Sequence, residues 1–468
     1  LEDSVSKLIR NSQITDVVRL YEHVRQRYKD TALLESLGDY HESKSRYSII
    51  GIFPEEVLKG GENKYYCYDL IEGDIYKVNW QEVFAKWIRL GKSDDILQTG
   101  VIGYIGYDEK ESFDNFKIKK IKQRFPSVYL VRYSLLFFYD RAQEQSYWVY
   151  DQTMNCTGFI EFAENIMKQE KSRFKVNEKE FYTYDHIKSD FNLDDYWDKV
   201  KKTVDYIRNG DIFQANLTVR FSGAYSGDPF QLYKELRKKT PNPFFAYLDF
   251  DFPMISTSPE RFFRIKDDEI VSNPIKGTIR CLLDGIDQRS ILENSSKDRS
   301  ENVMIVDLIR NDLGRVCEQG TVKVVSLCEI CKFNHLYHLE SIIKGKLKKD
   351  LSLLDILKAT FPGGSITGAP KIRAVEIIDE LEDNSRGPYT GIIGFFGESG
   401  YVDTAIAIRV IYFDQQKYYF HAGGGIVLDS NPENEYKELL LKVESIRKSL
   451  YEFTGVREGK NSLTERKI

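Results

Sequence analysis

Between Tyr65 and Tyr150 the chain runs through short β-type segments rich in aromatic and β-branched residues. They are Tyr65-Tyr66-Cys67-Tyr68, Val101-Ile102-Gly103-Tyr104-Ile105-Gly106-Tyr107, Leu135-Leu136-Phe137-Phe138-Tyr139 and Tyr147-Trp148-Val149-Tyr150. Strands that come in groups, without a helix after each one, exclude a strictly alternating βαβ fold. They predict an α+β chain with largely antiparallel sheets. On either side the pattern predicts a helix within residues 1–28 and strands at Thr31–Ser36 and Arg46–Gly51. Another helix falls over Ile160–Phe174, and the polar stretch from Lys175 to Asn192 is the best boundary.

Long helices mix with strands in the second half. Helices are predicted at Leu193–Gly210 (ended by Asn209-Gly210), Pro229–Lys239, Ser295–Asp312, Leu351–Phe361, Ala369–Leu381 and Pro432–Phe453. Strands are predicted at Gln214–Phe221, Phe244–Asp249, Pro253–Ile265, Gly391–Phe396, Thr404–Phe413 and Lys417–Ala422. The tail after Arg457 is polar and expected to fray.

Composition narrows the function. A net charge of −5, from 67 basic and 72 acidic residues without a basic block, argues against nucleic acid as a partner. No apolar run approaches the roughly 18–20 residues of a membrane span, and the first residues lack a signal-peptide layout. Six scattered cysteines form no disulfide framework, and Cys328-Glu329-Ile330-Cys331 lacks the second pair that a structural zinc site wants. The expectation is a cytoplasmic protein with reduced, buried thiols.

Chemistry-bearing residues gather in the second half. Lys276 stands between Pro274 and Gly277 in Val271–Arg280. Alone, such a lysine is a solvated loop side chain; in a confined site its amine would have a lowered pKa and act as a nucleophile. Asp298 and Glu301 lie at i, i+3 on one helix, and Glu435 and Glu438 repeat that spacing on the last. Two such pairs suit a hard cation, magnesium rather than zinc; equally, Glu438 and Lys442 form an ordinary i, i+4 ion pair. Phe361–Lys371 is a glycine-rich turn that fails the P-loop pattern, leaving a helix N-terminus suited to an anion. Gly423-Gly424-Gly425 offers bare N–H groups for a carboxylate, or a tight turn. Arg409 ends an alternating strand, where a buried guanidinium wants a carboxylate.

Taken in order, Ser258-Pro259-Glu260-Arg261-Phe262, Pro274-Ile275-Lys276-Gly277-Thr278, Lys297–Asn302 with Val306–Arg315, Gly368-Ala369-Pro370-Lys371 and Ala422–Ile426 resemble the chorismate-utilising enzymes. That family comprises anthranilate synthase component I, aminodeoxychorismate synthase component I, and the isochorismate and salicylate synthases. The resemblance covers essentially the whole chain. It implies an amino-terminal domain over 1–185, a chorismate-binding domain over 190–455 and a tail over 456–468. It also implies large, mixed, mainly antiparallel sheets forming a sandwich flanked by helices, with the active site in a cleft between subdomains.

Two positions place the chain among the family's members. Gln214 stands where the isochorismate and salicylate synthases carry a lysine base. Lys276 stands where anthranilate synthases carry alanine, and it resembles the aminodeoxychorismate synthases instead. The resemblance then implies Lys276 as a nucleophile on chorismate and Glu260 as proton donor. Magnesium would be held by Glu301, Glu435 and Glu438 with Asp298 close by. Gln214, Thr278, Ser365, Tyr389, Arg409, Gly423, Gly424, Gly425 and Lys442 would surround the substrate, with His338 near its ring. No Gly-x-Cys-x-Gly nucleophile turn is present, so ammonia would come from a separate glutamine amidotransferase subunit in a heterodimer. Finally, Leu33-Leu34-Glu35-Ser36, Arg46-Tyr47-Ser48 and Asn242-Pro243-Phe244 resemble the family's tryptophan pocket, implying a bound tryptophan contacted by Leu34, Ser36, Tyr47, Pro243 and Phe244.

Overall fold

The computed structural model describes residues 7–38, 46–91, 95–114, 116, 124–169, 180–184, 186–283, 285–333 and 336–454. The tail expected from 456 onward and part of the expected boundary (175–179 and 185) lie outside them.

Among the described residues the strand ladders are antiparallel, and apart from the separate pair Leu282–Leu283 with Ile286–Asp287 they join in one sheet with a continuous main path. It begins at Gln214–Ser226 and passes through Lys417–Ile426, Val410–Asp414, Met254–Ser258, Phe244–Asp249 and Thr31–Glu35 to the long strands Tyr47–Gly61 and Val128–Asp140. From there it continues through Gly100–Ile105, Ile392–Gly397, Val402–Ile406, Arg261–Lys266, Glu269–Asn273 and Leu336–Lys346 to Ile275–Arg280. Strands from both sides of the expected boundary alternate along the path, since Thr31–Glu35 pairs with Phe244–Asp249 and Gly100–Ile105 with Ile392–Gly397.

The path folds into two packed layers. Ile102, Tyr104, Ile393 and Phe395 from one layer meet Ala246, Leu248, Met254 and Tyr412 from the other in a shared core. Outside the first layer lie the helices Val17–Arg25, Leu193–Arg208, Pro229–Lys239, Lys371–Leu381 and Glu444–Glu452, packed on Phe245, Tyr247, Leu217 and Phe420. The helices Trp80–Trp87, Ser296–Val316 and Leu353–Thr360 cover the second, on Val101, Phe263, Ile343 and Phe396. Strand Phe244–Asp249 shows why: Phe245 and Tyr247 face the helices while Ala246 and Leu248 face the other layer. The strand is buried on both faces, and side chains the size of Phe245 and Leu248 each contribute about 1.5–3 kcal/mol.

The chain crosses between layers where a strand is interrupted or bent, and two predicted elements break there. The run expected over Pro253–Ile265 splits into Met254–Ser258 and Arg261–Lys266, because Pro259 has no N–H for the ladder. The strand expected over Thr404–Phe413 splits into Val402–Ile406 and Val410–Asp414, with Arg409 at φ +54° between them. Tyr47–Gly61 bends through register shifts between Gly51 and Glu56. The first two breaks are bonded together: Ser258 Oγ donates to the Ile406 carbonyl (2.7 Å) and Ile406 N–H to the Glu260 carbonyl (3.0 Å).

Other expectations also change. The helix expected within residues 1–28 is present over Val17–Arg25, capped by Asp16, but Lys7–Ser12 before it is a strand. Leu8 and Ile9 stay about two-fifths exposed, so ladder bonds to Gln145–Asp151 decide the segment rather than an apolar face. Trp80–Trp87 is a helix that the sequence reading omitted. The last helix is two, Pro432–Lys442 and Glu444–Glu452, broken at the buried, β-branched Val443. Gly423–Gly425 form no turn; they continue strand Lys417–Ile426 against Asn216–Thr218.

Among the described residues, no helix is long and apolar enough to cross a membrane. All six cysteines are free, and five are buried.

Candidate active site

The ends of the strand path, far apart along the pairings, meet across a cavity of about 90 Å³. One end supplies Asn216, Gly423 and Gly425, and the other Lys276, Thr278 and His338. The layer crossings deliver Glu260 and Arg409. The helices Ser296–Val316 and Pro432–Lys442 add Glu301, Glu438 and Lys442, and the short turn Gly364–Ile366 adds Ser365. Tyr389 and His421 complete the wall.

Lys276 reaches this cavity because its strand is irregular. Pairing with Leu336–Lys346 slips between Lys276 and Ile279, and Gly277 turns at φ +66°. A Cβ on Gly277 would stand 2.7 Å from Leu292 Cδ1 and 3.1 Å from Asp298 Oδ1, so glycine is required there on two grounds. Lys276 Nζ donates to the Ser365 carbonyl at 3.1 Å. Burial lowers its pKa; Lys442 adds to the lowering, while Glu301, Glu260 and Glu438 oppose it.

Glu260 is 3% exposed, and burial pushes its carboxyl up to about 7. The Ser365 hydroxyl, Lys276 and the Ile275 N–H pull the other way, and Glu340 adds to the rise. Such a group is half protonated at neutral pH, the condition for a general acid. Burial also lowers the pKa of Arg409, to about 10, against the pull of Glu260. A guanidinium NH2 of Arg409 lies 3.4 Å from His338 Nε2, and His338 Nδ1 lies 2.9 Å from the Gly277 carbonyl. A proton on Nδ1 therefore satisfies both contacts.

The acidic wall is interleaved with lysines. Lys442 bonds both Glu438 (2.8 Å) and the Gly423 carbonyl (3.0 Å), and it holds Glu438 below its usual pKa. The ordinary i, i+4 pair thus exists, but inside the cavity. Glu301 is raised by burial. Glu435 stands outside the cavity lining, 2% exposed, accepting from Lys297 (2.8 Å) and from the Ser430 hydroxyl (2.7 Å). Asp298 is also set back: its carboxylate accepts from the Ser295 hydroxyl at 2.5 Å and lies against Gly277. Among the described residues no three acids, cysteines or histidines converge as a ready-made metal cage. Magnesium, however, is commonly held by one or two carboxylates plus substrate oxygens and water. Glu301 and Glu438, two carboxylates on facing helices, fit that donor chemistry.

Gln214 lies behind the wall, 1% exposed, with neither end of its amide hydrogen-bonded. A Cβ on Gly425 would come within 2.1 Å of its Nε2, so Gly425 makes room for this side chain. Gly424 faces away, toward Glu435 and Lys442. The helix expected after the glycine-rich turn starts only at Lys371, and its N-terminus faces a separate outer groove with Phe213. Of that run only Ser365 and Ile366 line the cavity.

Sequence reasoning missed Asn216 and His421 in the wall and Lys297 behind it. Lys297 was legible, standing four residues before Glu301 on one helix. His421 was not, because its stack on Tyr389 (centroids 4.9 Å) joins strand Lys417–Ile426 to the turn at Gly387–Thr390.

A second, larger cavity of about 490 Å³ lies on the other side of Glu260–Arg261. Leu34, Ser36, Tyr47, Pro243 and Phe244, all five of the expected pocket residues, line it. Phe395, Tyr401 and the bidentate pair Arg261–Asp403 (2.8 and 3.0 Å) complete it.

Comparison with known proteins agrees with this architecture. A family described as chorismate binding enzyme matches residues 40–448. Anthranilate synthase component 1 of Saccharolobus solfataricus is 34% identical over 447 residues, 94% of this chain and 98% of that protein. Aminodeoxychorismate synthase component 1 of Bacillus subtilis is 34% identical over 451 residues, 92% of this chain and 93% of that protein. The crystal structure of anthranilate synthase component I from Streptococcus pneumoniae superposes with a TM-score of 0.72 at 30% identity, covering 88% of this chain and 94% of that one. The chain belongs to the chorismate binding enzyme family.

Proposed function

We propose that the protein aminates chorismate to 4-amino-4-deoxychorismate. One observation carries the reading. The Lys276 amine, with a pKa lowered by burial, shares a small cavity with a glutamate whose pKa of about 7 suits a proton donor. Relatives of near-equal similarity bear both synthase names, so the lysine, not overall likeness, favours amination at C4.

Lys276 Nζ attacks ring carbon C2 in its neutral form. Both ring double bonds shift, from C1=C2 and C5=C6 to C6=C1 and C4=C5, and the C4 hydroxyl leaves as water with the proton of Glu260. Ammonia then bonds to C4, both double bonds return to C5=C6 and C1=C2, and the C2–Nζ bond breaks to release the lysine as its neutral amine. Arg409 and the backbone around Gly423 and Gly425 are suited to the substrate's carboxylates, with Tyr389, Thr278 and His338 shaping the space around the ring. Glu301 and Glu438 would hold magnesium, which when bound offsets carboxylate charge and favours departure of the hydroxyl. Ammonia would come from a glutamine amidotransferase subunit or from free ammonium. The aromatic cavity would take tryptophan.

Product analysis tests this reading, using pure protein, chorismate, magnesium and ammonium chloride, with pyruvate followed by a lactate dehydrogenase couple. Expected is no pyruvate until an aminodeoxychorismate lyase is added, and then p-aminobenzoate. Immediate pyruvate with anthranilate fluorescence would make the chain an anthranilate synthase. Pyruvate with salicylate, independent of ammonium, would mean that Gln214 had been misread.

A further inference from the structure

Arg386 is 1% exposed and lies outside the cavity lining, on the segment that follows helix Lys371–Leu381. A guanidinium has five N–H bonds, and here all five are used. Nε donates to Glu382 Oε2 (2.8 Å), and one terminal nitrogen donates to the Ile366 carbonyl (3.0 Å) and the Thr390 hydroxyl (3.3 Å). The other donates to the Asn216 carbonyl (2.7 Å) and Glu382 Oε1 (2.7 Å). Glu382 in turn accepts from the N–H and the hydroxyl of Thr218, both at 2.9 Å. Arg386 thus ties strand Gln214–Ser226 to the turn Gly364–Ile366, which a further bond, Asn216 N–H to the Thr367 carbonyl (2.7 Å), holds in place.

That turn is where the two reactive groups meet. Ser365 accepts from Lys276 through its carbonyl, and its hydroxyl bonds Glu260. The amino-terminal half braces the arginine from behind. The Tyr107 ring lies under its guanidinium (4.5 Å), and Asp108 accepts from the Gly387 N–H at 2.8 Å.

We propose that Arg386 is a positioning residue for the reaction, fixing the Ser365 turn against which Lys276 and Glu260 are set. The proposal rests on the reading above that these two groups carry the chemistry. Lysine in its place keeps the charge but cannot reach both carbonyls and Glu382 together. Misplacing a reactive group by about 1 Å costs on the order of 10²-fold in rate.

The test measures amination by the full chain in wild type, Arg386→Lys, Ser365→Ala and the double variant. Expected for Arg386→Lys is a kcat lower by about 30-fold or more, a chorismate KM within about threefold, and full folding by circular dichroism at the assay temperature. In the Ser365→Ala background the same change should cost only a few-fold, because both variants act through one turn. Losses that merely track the folded fraction, fall on KM alone, or multiply independently would overturn the proposal. Should Arg386→Lys fail to fold, Asp108→Ala decides. This variant removes the acceptor of the Gly387 N–H and loosens that segment from outside the cavity; a several-fold fall in kcat at constant KM supports the proposal and an unchanged kcat rejects it. If wild type makes no product from chorismate, the function is wrong. Arg386 is then judged by the rate at which an amine-acylating reagent labels Lys276, where an equal rate in Arg386→Lys refutes positioning.

Discussion

The two cavities stand back to back on one dipeptide, with Glu260 facing the smaller and Arg261 the larger. Yet they use buried charge in opposite ways. Arg261, 2% exposed, meets Asp403 in a bidentate pair and also stacks over Phe244, so its charge is spoken for. Glu260 has no such partner; its carboxyl is shared among Ser365, Lys276 and the Ile275 N–H, and its pKa rises to about 7. A satisfied buried charge fixes shape, whereas a buried charge divided among several weak partners stays ready to exchange a proton. That contrast supports the chemistry proposed for the smaller cavity and the ligand proposed for the larger.

The contrast breaks most sharply at Lys276. Lys276→Ala should lower formation of 4-amino-4-deoxychorismate by more than about 10³-fold, read by the lyase-coupled assay; an unchanged rate and product would make the lysine a bystander. Glu260→Gln should cost about 10²–10⁴-fold while chorismate binding stays measurable by calorimetry. The wild-type pH profile carries the same information. Glu260 must be protonated to donate, so kcat/KM should fall as pH rises through about 7, and Glu260→Gln should lack that limb. The neutral amine of Lys276 sets the opposite limb, with rate falling as pH drops.

On the other side of the dipeptide the effects should appear in stability. Asp403→Asn removes the charge partner of a buried guanidinium and should cost about 2–3 kcal/mol in urea unfolding. Saturating tryptophan should raise the melting temperature, since a hundredfold excess over Kd is worth about 2.7 kcal/mol, and Ser36→Phe, which fills the cavity, should remove the shift. Denatured protein that yields no tryptophan by mass spectrometry, with no melting shift on addition, would reject a tryptophan site. Glu433→Gln, which breaks only the exposed pair with Lys437, should stay within about 0.5 kcal/mol.

Local pattern made some elements readable. The bounds of Pro229–Lys239 and Phe244–Asp249 match the structure because proline at a helix start and uninterrupted β-type runs are local signals. Lys276 and Glu260, which line one cavity, were legible through ordered motifs. What stayed hidden depends on distant partners. Pro259 marks an interruption inside a strand-like run, but nothing local says that the chain changes layers there. Arg409 reads as the end of a strand, although its left-handed backbone is imposed at a crossing where its carbonyl accepts from both Thr257 N–H (3.1 Å) and Thr257 Oγ (3.2 Å). Arg386 follows a helix in a polar stretch, and its five bonds reach segments up to 170 residues away.

Because the strands that face each other across the smaller cavity are the two ends of the pairing path, the site has no local precursor. Neither Gln214–Ser226 nor Ile275–Arg280 acquires its counterpart through a neighbouring hairpin; each waits for the intervening strands to register. Closure of such distant contacts is slow, since chain entropy is surrendered before the contacts return it. During refolding, therefore, catalytic competence should lag behind the recovery of secondary structure. It serves as a clock for completion of the whole sandwich, and a truncation anywhere along the path should silence the enzyme even where most of its core survives.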